Sequence, residues 1–402
     1  MNIHVPTFRI AFIIILLSIA GAFTHYSLNP EPKNPLYGGS SSGSLEDYYK
    51  LSQEQLRQSE NLSTEVVFNA VGDIMLSREV ANRIYKNNLD AYWPFRNLEQ
   101  ELGWDVDFNF GNLESPFSGR DDFQVDANLK FNAPTWAFAG LEQYNFKVLN
   151  LANNHITNQG VEGLLYTRDL LRKNQMLPVG AGEDLDEAWR GQVFSIKGIR
   201  IGFIGATYHS GSRNSNVALI IDTERLIASL NELKSRSDFI VVTMHAGEEY
   251  VSTPNQSQID FARTAIDNGA DIVIGAHPHW VQTIEQYKQK YIFYSLGNFV
   301  FDQMWSQNTK EGLMLKITLA RKGLCHPGLN PNSPTPLSRS EQINLVCTTD
   351  LQGSTEPAKL KTIELVPVVI ENYGQPRIAN ELEKQNILNK IGATTNVITP
   401  GR

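Results

Sequence analysis

Two short apolar segments that run straight into histidine constrain the fold of this chain more than any other feature. The first, residues 240–245, ends at His245, and the second, residues 271–279, ends with His277 and His279. Both segments are too short for buried helices and are rich in Val and Ile, so they predict buried parallel strands. The stretch between them carries apolar side chains at helical spacing and ends at a glycine, which is typical of a helix. The region therefore predicts a strand–helix–strand unit.

These three histidines are expected to lie together at one edge of a sheet. In open α/β sheets, ligands bind at the carboxyl ends of the strands. His277 and His279 flank Pro278, and in extended backbone two residues that are two apart point to the same side. The alternative is that these histidines lie in surface loops, and for any single histidine this alternative would be favoured. Three at strand ends, in a chain with 8 histidines, favour a functional site.

Three further predicted strands, which begin near residues 65, 108 and 146, also end in polar groups. Asp73, Glu114 and the pair Asn154 and His155 follow them. Each has an ordinary alternative: a helix cap or turn for Asp73, an exposed turn for Glu114, and a polar helix-capping turn for the Asn–His pair. Glu114 precedes Ser-Pro, so it is not inside a helix, and a carboxylate held by such a turn could bridge two cations.

The donors at these strand ends predict a class of chemistry. Hard oxygens mixed with imidazoles, without a thiolate, suit Mn, Fe or Zn rather than Ca or a structural zinc. There are enough donors for two divalent cations with one shared carboxylate, an arrangement that polarises a phosphoryl or acyl oxygen. The residues alone therefore predict metal-assisted hydrolysis. The donors are Asp73, Glu114, Asn154, His155, His245, His277 and His279.

Composition and the N-terminus bound the class and the compartment. At 402 residues and 41% hydrophobic, the chain can bury one large core with appendages. Its net charge of −8 lacks the excess of basic residues that is typical of nucleic-acid-binding proteins. Residues 1–23 predict a signal anchor or a cleaved signal peptide, and the Pro-, Gly- and Ser-rich residues 24–64 predict a flexible tether. The body of the protein is therefore expected outside the cytoplasm, anchored to the membrane or secreted.

The rest of the chain predicts one domain over residues 65–372, followed by a C-terminal helix and tail over 373–402. Residues 312–320 and 360–370 alternate apolar and polar side chains, so we expect two antiparallel strands. Cys325 and Cys347 bracket an insertion rich in Pro, Asn and Ser. A disulfide closing that loop, worth about 3 kcal/mol if formed, is the preferred reading, and two unrelated free thiols are the alternative.

Seven motifs in order resemble those of the bacterial capsule-synthesis CapA family, which is named for poly-γ-glutamate capsule formation. The likeness spans about residues 66–370. The motifs are Val71-Gly-Asp-Ile-Met-Leu76, Gly111-Asn-Leu-Glu-Ser-Pro116, Leu151-Ala-Asn-Asn-His155, Gly180-Ala-Gly182, His245-Ala-Gly-Glu-Glu-Tyr250, Gly275-Ala-His-Pro-His279 and Tyr294-Ser-Leu-Gly-Asn-Phe299.

The family resembles calcineurin-like metallophosphoesterases, and this implies a four-layer α/β/β/α sandwich with a dinuclear-type site between the sheets. By that resemblance Glu114 stands at the bridging position, Asn154 stands before the catalytic histidine, and His155 would protonate the leaving group. The remaining ligands would be Asp73 and His279 for the first metal and His245 and His277 for the second.

The chain departs from the phosphoesterase pattern at three positions. Met75 stands where the pattern has a histidine, so the first metal loses a ligand. Glu114 replaces an aspartate, which changes the spacing of the metals. Asn158 stands where many relatives carry an acid.

The family's role implies an outward-facing, membrane-associated component of poly-γ-glutamate synthesis or export that works with membrane-bound ligase partners. One hypothesis is a metal-dependent hydrolase of a phosphoester or of the γ-glutamyl polymer. His155, a candidate proton donor, favours it. The other is a non-catalytic assembly or export subunit, which the loss of histidine at Met75 favours. Neither hypothesis involves nucleic acid.

Overall fold

The computed structural model describes residues 63–123, 129–208, 216–322, 325–328, 344–347 and 356–400. The predicted membrane segment, residues 1–23, and nearly all of the predicted tether lie outside this part of the chain. Among the residues that the structure describes, no helix has the length and apolar character needed to cross a bilayer.

Strands and helices alternate through the first two thirds of the described chain, as in α/β proteins. The strands are β1 (Ser63–Ile74), β2 (Phe108–Leu113), β3 (Phe146–Asn150), β4 (Leu177–Val179), β5 (Gln192–Ile196), β6 (Ile199–Thr207), β7 (Phe239–His245), β8 (Ile272–Ala276), β9 (Ile284–Tyr287), β10 (Lys290–Phe293), β11 (Asn298–Val300), β12 (Glu311–Lys322), β13 (Cys325–Gly328), β14 (Asn344–Cys347), β15 (Lys359–Glu371), β16 (Gln375–Ile378) and β17 (Val397–Ile398). The helices are α1 (Arg78–Lys86), α2 (Phe138–Gln143), α3 (Gly160–Lys173), α4 (Leu185–Ala188), α5 (Thr223–Arg236), α6 (Gln256–Asp267), α7 (Gln307–Lys310) and α8 (Glu381–Lys390), with shorter turns at Trp93–Leu98, Gln100–Trp104 and Thr135–Ala137.

The first sheet has the strand order β16-β15-β12-β1-β2-β3-β4, with β11 beside the end of β1 and β17 beside β15. Strands β1 to β4 run parallel to one another, and β1 pairs antiparallel with β12 on its other side. The pair β12 and β15 is antiparallel, with Leu315 opposite Leu365. This pairing confirms the prediction made from the alternation of residues 312–320 and 360–370.

The second sheet has the order β5-β6-β7-β8-β10-β9. Its central strands β6, β7, β8 and β10 are parallel, and β5 and β9 are antiparallel edges. Strand β7, helix α6 and strand β8 form the strand–helix–strand unit that the sequence predicts. A capping box begins α6, in which the side chains of Asn255 and Gln258 each accept from the other's backbone N–H.

The two sheets face each other across an aromatic core. Phe110 of β2 and Phe203 of β6 are fully buried, and their ring centroids are 5.6 Å apart. Burial of one such ring contributes about 1.5–3 kcal/mol. On the outer face of the first sheet Leu149 packs with Leu141 and Leu164 of helices α2 and α3, and α5 and α6 cover the outer face of the second sheet in the same way. This packing gives the α/β/β/α layering that the sequence resemblance implies.

The chain crosses from the second sheet to the first directly after β10. Residues 294–297 make this crossing, and β11 then lies parallel to the end of β1, with Asn298 beside Asp73. Gly297 has a φ of 68° at the crossing, and its backbone oxygen accepts a hydrogen bond of 3.1 Å from the Asp73 N–H. The sequence did not predict strand β11, because three residues are too few for an alternation pattern.

The contact of β1 with this crossing leaves no room for a side chain at Gly72. A Cβ atom there would lie 1.9 Å from the Gly297 oxygen, which is a backbone atom that cannot rotate away. We expect Gly72→Ala to lower the free energy of unfolding by about 1–3 kcal/mol or more, measured by denaturant titration. Gly103→Ala is the matched control, because a Cβ at Gly103 meets no atom within 4 Å. Equal stability of the two variants would contradict the close approach.

The C-terminal segment is more than a helix and a tail. Helix α8 forms as predicted, but β16 and β17 lie on either side of it in sequence and both pair with β15.

In the predicted insertion, β13 and β14 form an antiparallel pair with Cys325 opposite Cys347. Opposed residues of such strands have Cα atoms about 4.5–5.5 Å apart, which lies in the range of disulfides. The disulfide itself stays a prediction.

Candidate metal centre

The carboxyl ends of strands from both sheets meet in one buried place. Asp73 lies at the end of β1 and Glu114 directly after β2, both in the first sheet. His245 ends β7 and His277 follows β8, both in the second sheet. All four side chains are buried. The predicted convergence of strand ends therefore exists.

The buried carboxylates and imidazoles form two groups that share one residue. Glu114, His245 and His277 offer ligand atoms that all lie within 4.8 Å of one another, and so do Asp73, Glu114 and His279. Asn154 adjoins the first group, since its Oδ1 lies 2.9 Å from Nε2 of His245. The common member is Glu114, the residue for which the sequence predicts a bridging position.

The Glu114 carboxylate is fully buried, and neither of its oxygens has a hydrogen-bond donor among the described residues. Its Oε1 lies 3.5 Å from Nε2 of His245 and 4.0 Å from Nε2 of His279. Burial, followed by the charge of Asp73, raises the pKa of Glu114 well above its usual range. A buried carboxylate without donors costs free energy unless a cation neutralises it. This donor set therefore fits a divalent cation.

Asn112 holds Asp73 and His245 in place. Its Nδ2 amide donates to Oδ1 of Asp73 at 2.8 Å and to Nδ1 of His245 at 3.0 Å. Its own Oδ1 accepts from Nδ2 of Asn150 at 2.8 Å. Asn112 is absent from the predicted ligands, although its spacing of two from Glu114 places both side chains on one face of β2.

His245 is neutral in this environment. Burial, then the neighbouring imidazoles of His277 and His279, hold the pKa of His245 well below its usual value. Its Nε2 lies 3.1 Å from Nδ1 of His277. A neutral imidazole is the form that binds a metal, so the lowered pKa favours metal binding, and a cation at Nε2 would replace the hydrogen bond to Asn154.

The backbone around His277 and His279 differs from the prediction. We expected extended backbone, but φ is 99° at His277 and 57° at His279. Left-handed backbone at two non-glycine residues is strained, and such strain clusters at functional sites. The turn nevertheless brings both imidazoles to Glu114, with their ring centroids 6.2 Å apart.

His279 is oriented by Asn298, which the ligand prediction missed. Nδ1 of His279 lies 2.9 Å from Oδ1 of Asn298, whose Nδ2 donates to the backbone oxygen of Thr309 at 2.9 Å. The Asn298 oxygen is therefore the acceptor, and Nδ1 of His279 carries the proton. This leaves Nε2 free to bind a cation, which is the usual arrangement of a metal-binding histidine. The only available sign in the sequence was the motif at residues 294–299.

His155 lies at the side of the centre, with Nε2 3.9 Å from Oε1 of Glu114. Its Nδ1 lies 2.9 Å from Oδ1 of Asn158, which also accepts the backbone N–H of Phe131 at 2.8 Å. The Phe131 ring stacks on the imidazole with a centroid distance of 3.9 Å. Burial lowers the pKa of His155 to about 4. Asn158 thus orients a neutral His155, with no acid in that position.

Met75 does not replace the missing histidine as a ligand. It is fully buried in the apolar core on the outer face of the first sheet. Its sulfur accepts the backbone N–H of Ser77 at 3.1 Å. With Met75 in place of a histidine, this group therefore has three carboxylate or imidazole ligands, from Asp73, Glu114 and His279.

Comparisons with known proteins identify relatives of this chain. The chain is 34% identical over 260 residues to "PGA biosynthesis protein CapA" of Bacillus subtilis (strain 168), covering 63% of this chain and 67% of that protein. It is 31% identical over 301 residues to "Capsule biosynthesis protein CapA" of Bacillus anthracis, covering 70% and 72%. A solved phosphatase from Mycoplasma pneumoniae is 12% identical, with a TM-score of 0.43 over 82% of this chain and 100% of that one, a likeness too distant to carry an argument. Residues 67–303 match the family described as "Bacterial capsule synthesis protein PGA_cap", and since this is more than half of the chain, the protein belongs to that family.

Proposed function

We propose that this protein is a metal-dependent hydrolase that serves capsule or poly-γ-glutamate biosynthesis, acting on a phosphoester or on the γ-glutamyl polymer. The observation that carries the proposal is the Glu114 carboxylate, buried without a donor and shared by two groups of potential ligands. We also propose, from the sequence, that the N-terminal segment places the body at the outer face of the membrane, near membrane-bound ligase subunits.

The residues that would hold the cations divide between the two sheets. Asp73 and His279 would bind one cation, His245 and His277 would bind the other with Asn154 beside them, and Glu114 would bind both. Mn, Fe or Zn suits such donors. Bound there, the cations would supply Lewis acidity and lower the pKa of a water molecule.

His155 would carry the proton of the reaction. Its Nδ1–H donates to Asn158, so Nε2 holds the free lone pair on the side of Glu114. A proton delivered to the leaving group must therefore first arrive at Nε2. With a pKa of about 4, the ring is neutral near pH 7, so it would take that proton from the attacking water and then pass it to the leaving group, and the stacked Phe131 keeps the ring in its plane.

A non-catalytic assembly or export subunit is the second candidate. The buried Met75 favours it, because one of the two cations would then have fewer protein ligands and a lower affinity. In that case the centre would serve the structure or polymer binding, and His155 would have no substrate.

Metal content and activity separate the two candidates. We expect purified wild-type protein to contain Mn, Fe or Zn and to release phosphate from phosphoesters or fragments from the γ-glutamyl polymer. His279→Ala should lose metal and activity together, because it removes a ligand, and His155→Ala should lose only activity. Glu224→Ala, an exposed residue in the first turn of α5, is the control. If wild type and both histidine variants behave alike, the catalytic proposal is wrong.

A further inference from the structure

A cluster of aromatic rings lies beside the candidate metal centre and has no part in the proposed chemistry. Tyr250 contacts Trp305 edge-on at a centroid distance of 4.8 Å, and Trp280 lies at 6.4 Å on another side. Trp305 is 61% exposed to solvent. We call Tyr250, Trp280, Trp305 and the adjacent Glu249 the aromatic rim.

The aromatic rim is fixed against the metal centre. The Tyr250 ring lies 6.0 Å from the His279 imidazole, with 29° between the planes. The Tyr250 N–H donates to the Pro278 oxygen at 2.9 Å, and its hydroxyl accepts from Nε2 of Gln303 at 3.2 Å. Tyr250 has a φ of 63°, which is strained for a residue with a side chain. The loop after β7 is therefore held in the position that places this ring beside the ligand.

The rim carries negative charge. Glu248 and Glu249 are both exposed. The Glu249 carboxylate is close enough to add to the effect of burial in raising the pKa of Tyr250 to about 12, and it acts in the same direction on Tyr208. Among the ion pairs of the described residues, none involves Glu248 or Glu249. The Tyr250 hydroxyl donates a hydrogen bond to the Glu249 carboxylate, so Glu249 keeps its negative charge beside the ring without a cationic partner among the described residues.

Aromatic faces beside carboxylates that make no ion pair favour one chemical class of ligand. The faces of Tyr and Trp rings carry negative electrostatic potential and attract a cation placed over them. A carboxylate beside them, as at Glu249, adds to that attraction and repels anionic groups. An uncharged flat ring would use the aromatic faces but gain nothing from Glu249.

We propose that the aromatic rim binds an ammonium group on the ligand whose phosphoryl or acyl group lies at the metal centre. The inference rests on the proposed function, since the centre holds the other end of the ligand. The Tyr250 ring centroid lies 6.0 Å from that of His279, so only a short spacer would separate the two bound groups. The ligand class is therefore an aminoalkyl phosphoester, or a γ-glutamyl chain bound by its amino end rather than along its row of carboxylates.

Two phosphonates of nearly the same shape test this proposal. Calorimetric titration of the Mn²⁺-loaded protein would compare 2-aminoethylphosphonate with propylphosphonate, which replaces the ammonium by a methyl group. We expect the amine to bind about tenfold more tightly. Glu249→Gln and Trp305→Ala should each reduce this preference. Trp104→Ala is the control and should leave the preference unchanged. Trp104 is also an exposed tryptophan, at 81%, but it precedes β2 and so lies at the opposite end of that strand from Glu114.

Two results would overturn the proposal while the metal centre stands. One is equal affinity for the two phosphonates, or a preference that neither variant changes. The other is tighter binding of phenylphosphonate than of the amine, independent of Glu249, which would assign the rim to an uncharged ring.

Failure of both phosphonates to bind would instead count against the proposed metal centre. The rim is then judged with tetramethylammonium chloride, which needs no metal. A change in tryptophan fluorescence that sodium chloride at equal ionic strength does not produce, and that Trp305→Ala removes, supports the inference. Identical responses to the two salts overturn it.

Discussion

Glu114→Gln is expected to remove divalent metal binding from both halves of the centre at once. Glu114 belongs to both groups of potential ligands, whereas His277 and His279 belong to one each. The measurement is metal content after dialysis against Mn²⁺, together with the rise in melting temperature that Mn²⁺ produces in wild type. A ligand at one hundred times its dissociation constant stabilises a protein by about 2.7 kcal/mol, and this gain should vanish in the variant.

The same variant should be more stable than wild type after metal has been removed with a chelator. Without cations, the wild-type protein near neutral pH must either bury a carboxylate that has no donor among the described residues or take up a proton, and either costs about 1–3 kcal/mol. The amide of glutamine carries no charge and can donate. Glu224→Gln serves as the control, because that side chain is exposed. Retained Mn²⁺ binding, or lower stability of the chelated variant, would contradict the role given to Glu114.

The dependence on pH has a definite sign for the chelated protein. Burial raises the pKa of Glu114 above its usual value of 4.5, so the folded state keeps this proton at a pH where the unfolded chain has lost it. Stability is therefore fully present below the unfolded pKa and is lost as the pH rises toward the folded pKa. Glu114→Gln should flatten this part of the stability curve.

His155→Gln is expected to reduce turnover by about 100-fold to 10,000-fold while leaving the metal content unchanged. The reason is that His155 is placed to carry a proton and belongs to neither group of potential ligands. Metal analysis and single-turnover hydrolysis of a phosphoester on the same preparations would measure both quantities.

Asn158→Ala provides an intermediate case for the His155 prediction. It removes the oxygen that fixes the proton on Nδ1 but keeps the imidazole, so we expect a smaller loss of turnover and the same metal content. The role of His155 would be refuted by turnover close to that of wild type, or by a loss of metal in parallel with activity. A wild-type protein that binds metal but hydrolyses neither phosphoesters nor polymer would favour the assembly subunit.

Much of the site could be predicted because several of its residues directly follow apolar segments that are recognisable as strands. The apolar segments of β7 and β8 can be recognised from the sequence, and each ends at the edge of the sheet where parallel strands present ligands. His245 and His277 therefore follow from the strands that precede them.

The remaining features depend on contacts between distant parts of the chain. Asn298 reaches His279 only because the chain crosses between the sheets just before it, and no local pattern announces a crossing. Phe131 stacks on His155 from a loop without regular structure. The turn at His277 was predicted as extended because spacing alone does not reveal a left-handed backbone, which the surrounding structure imposes.

The division of the potential ligands between the two sheets has a mechanical consequence. Asp73 and Glu114 are attached to one layer of the sandwich, and His245 and His277 to the other. An ion held by all of them would act as a cross-link between the layers at the carboxyl ends of these strands. Separation of the two layers at that end would then require release of the ion. The stability of the sandwich would therefore increase with the fraction of molecules that hold the ion.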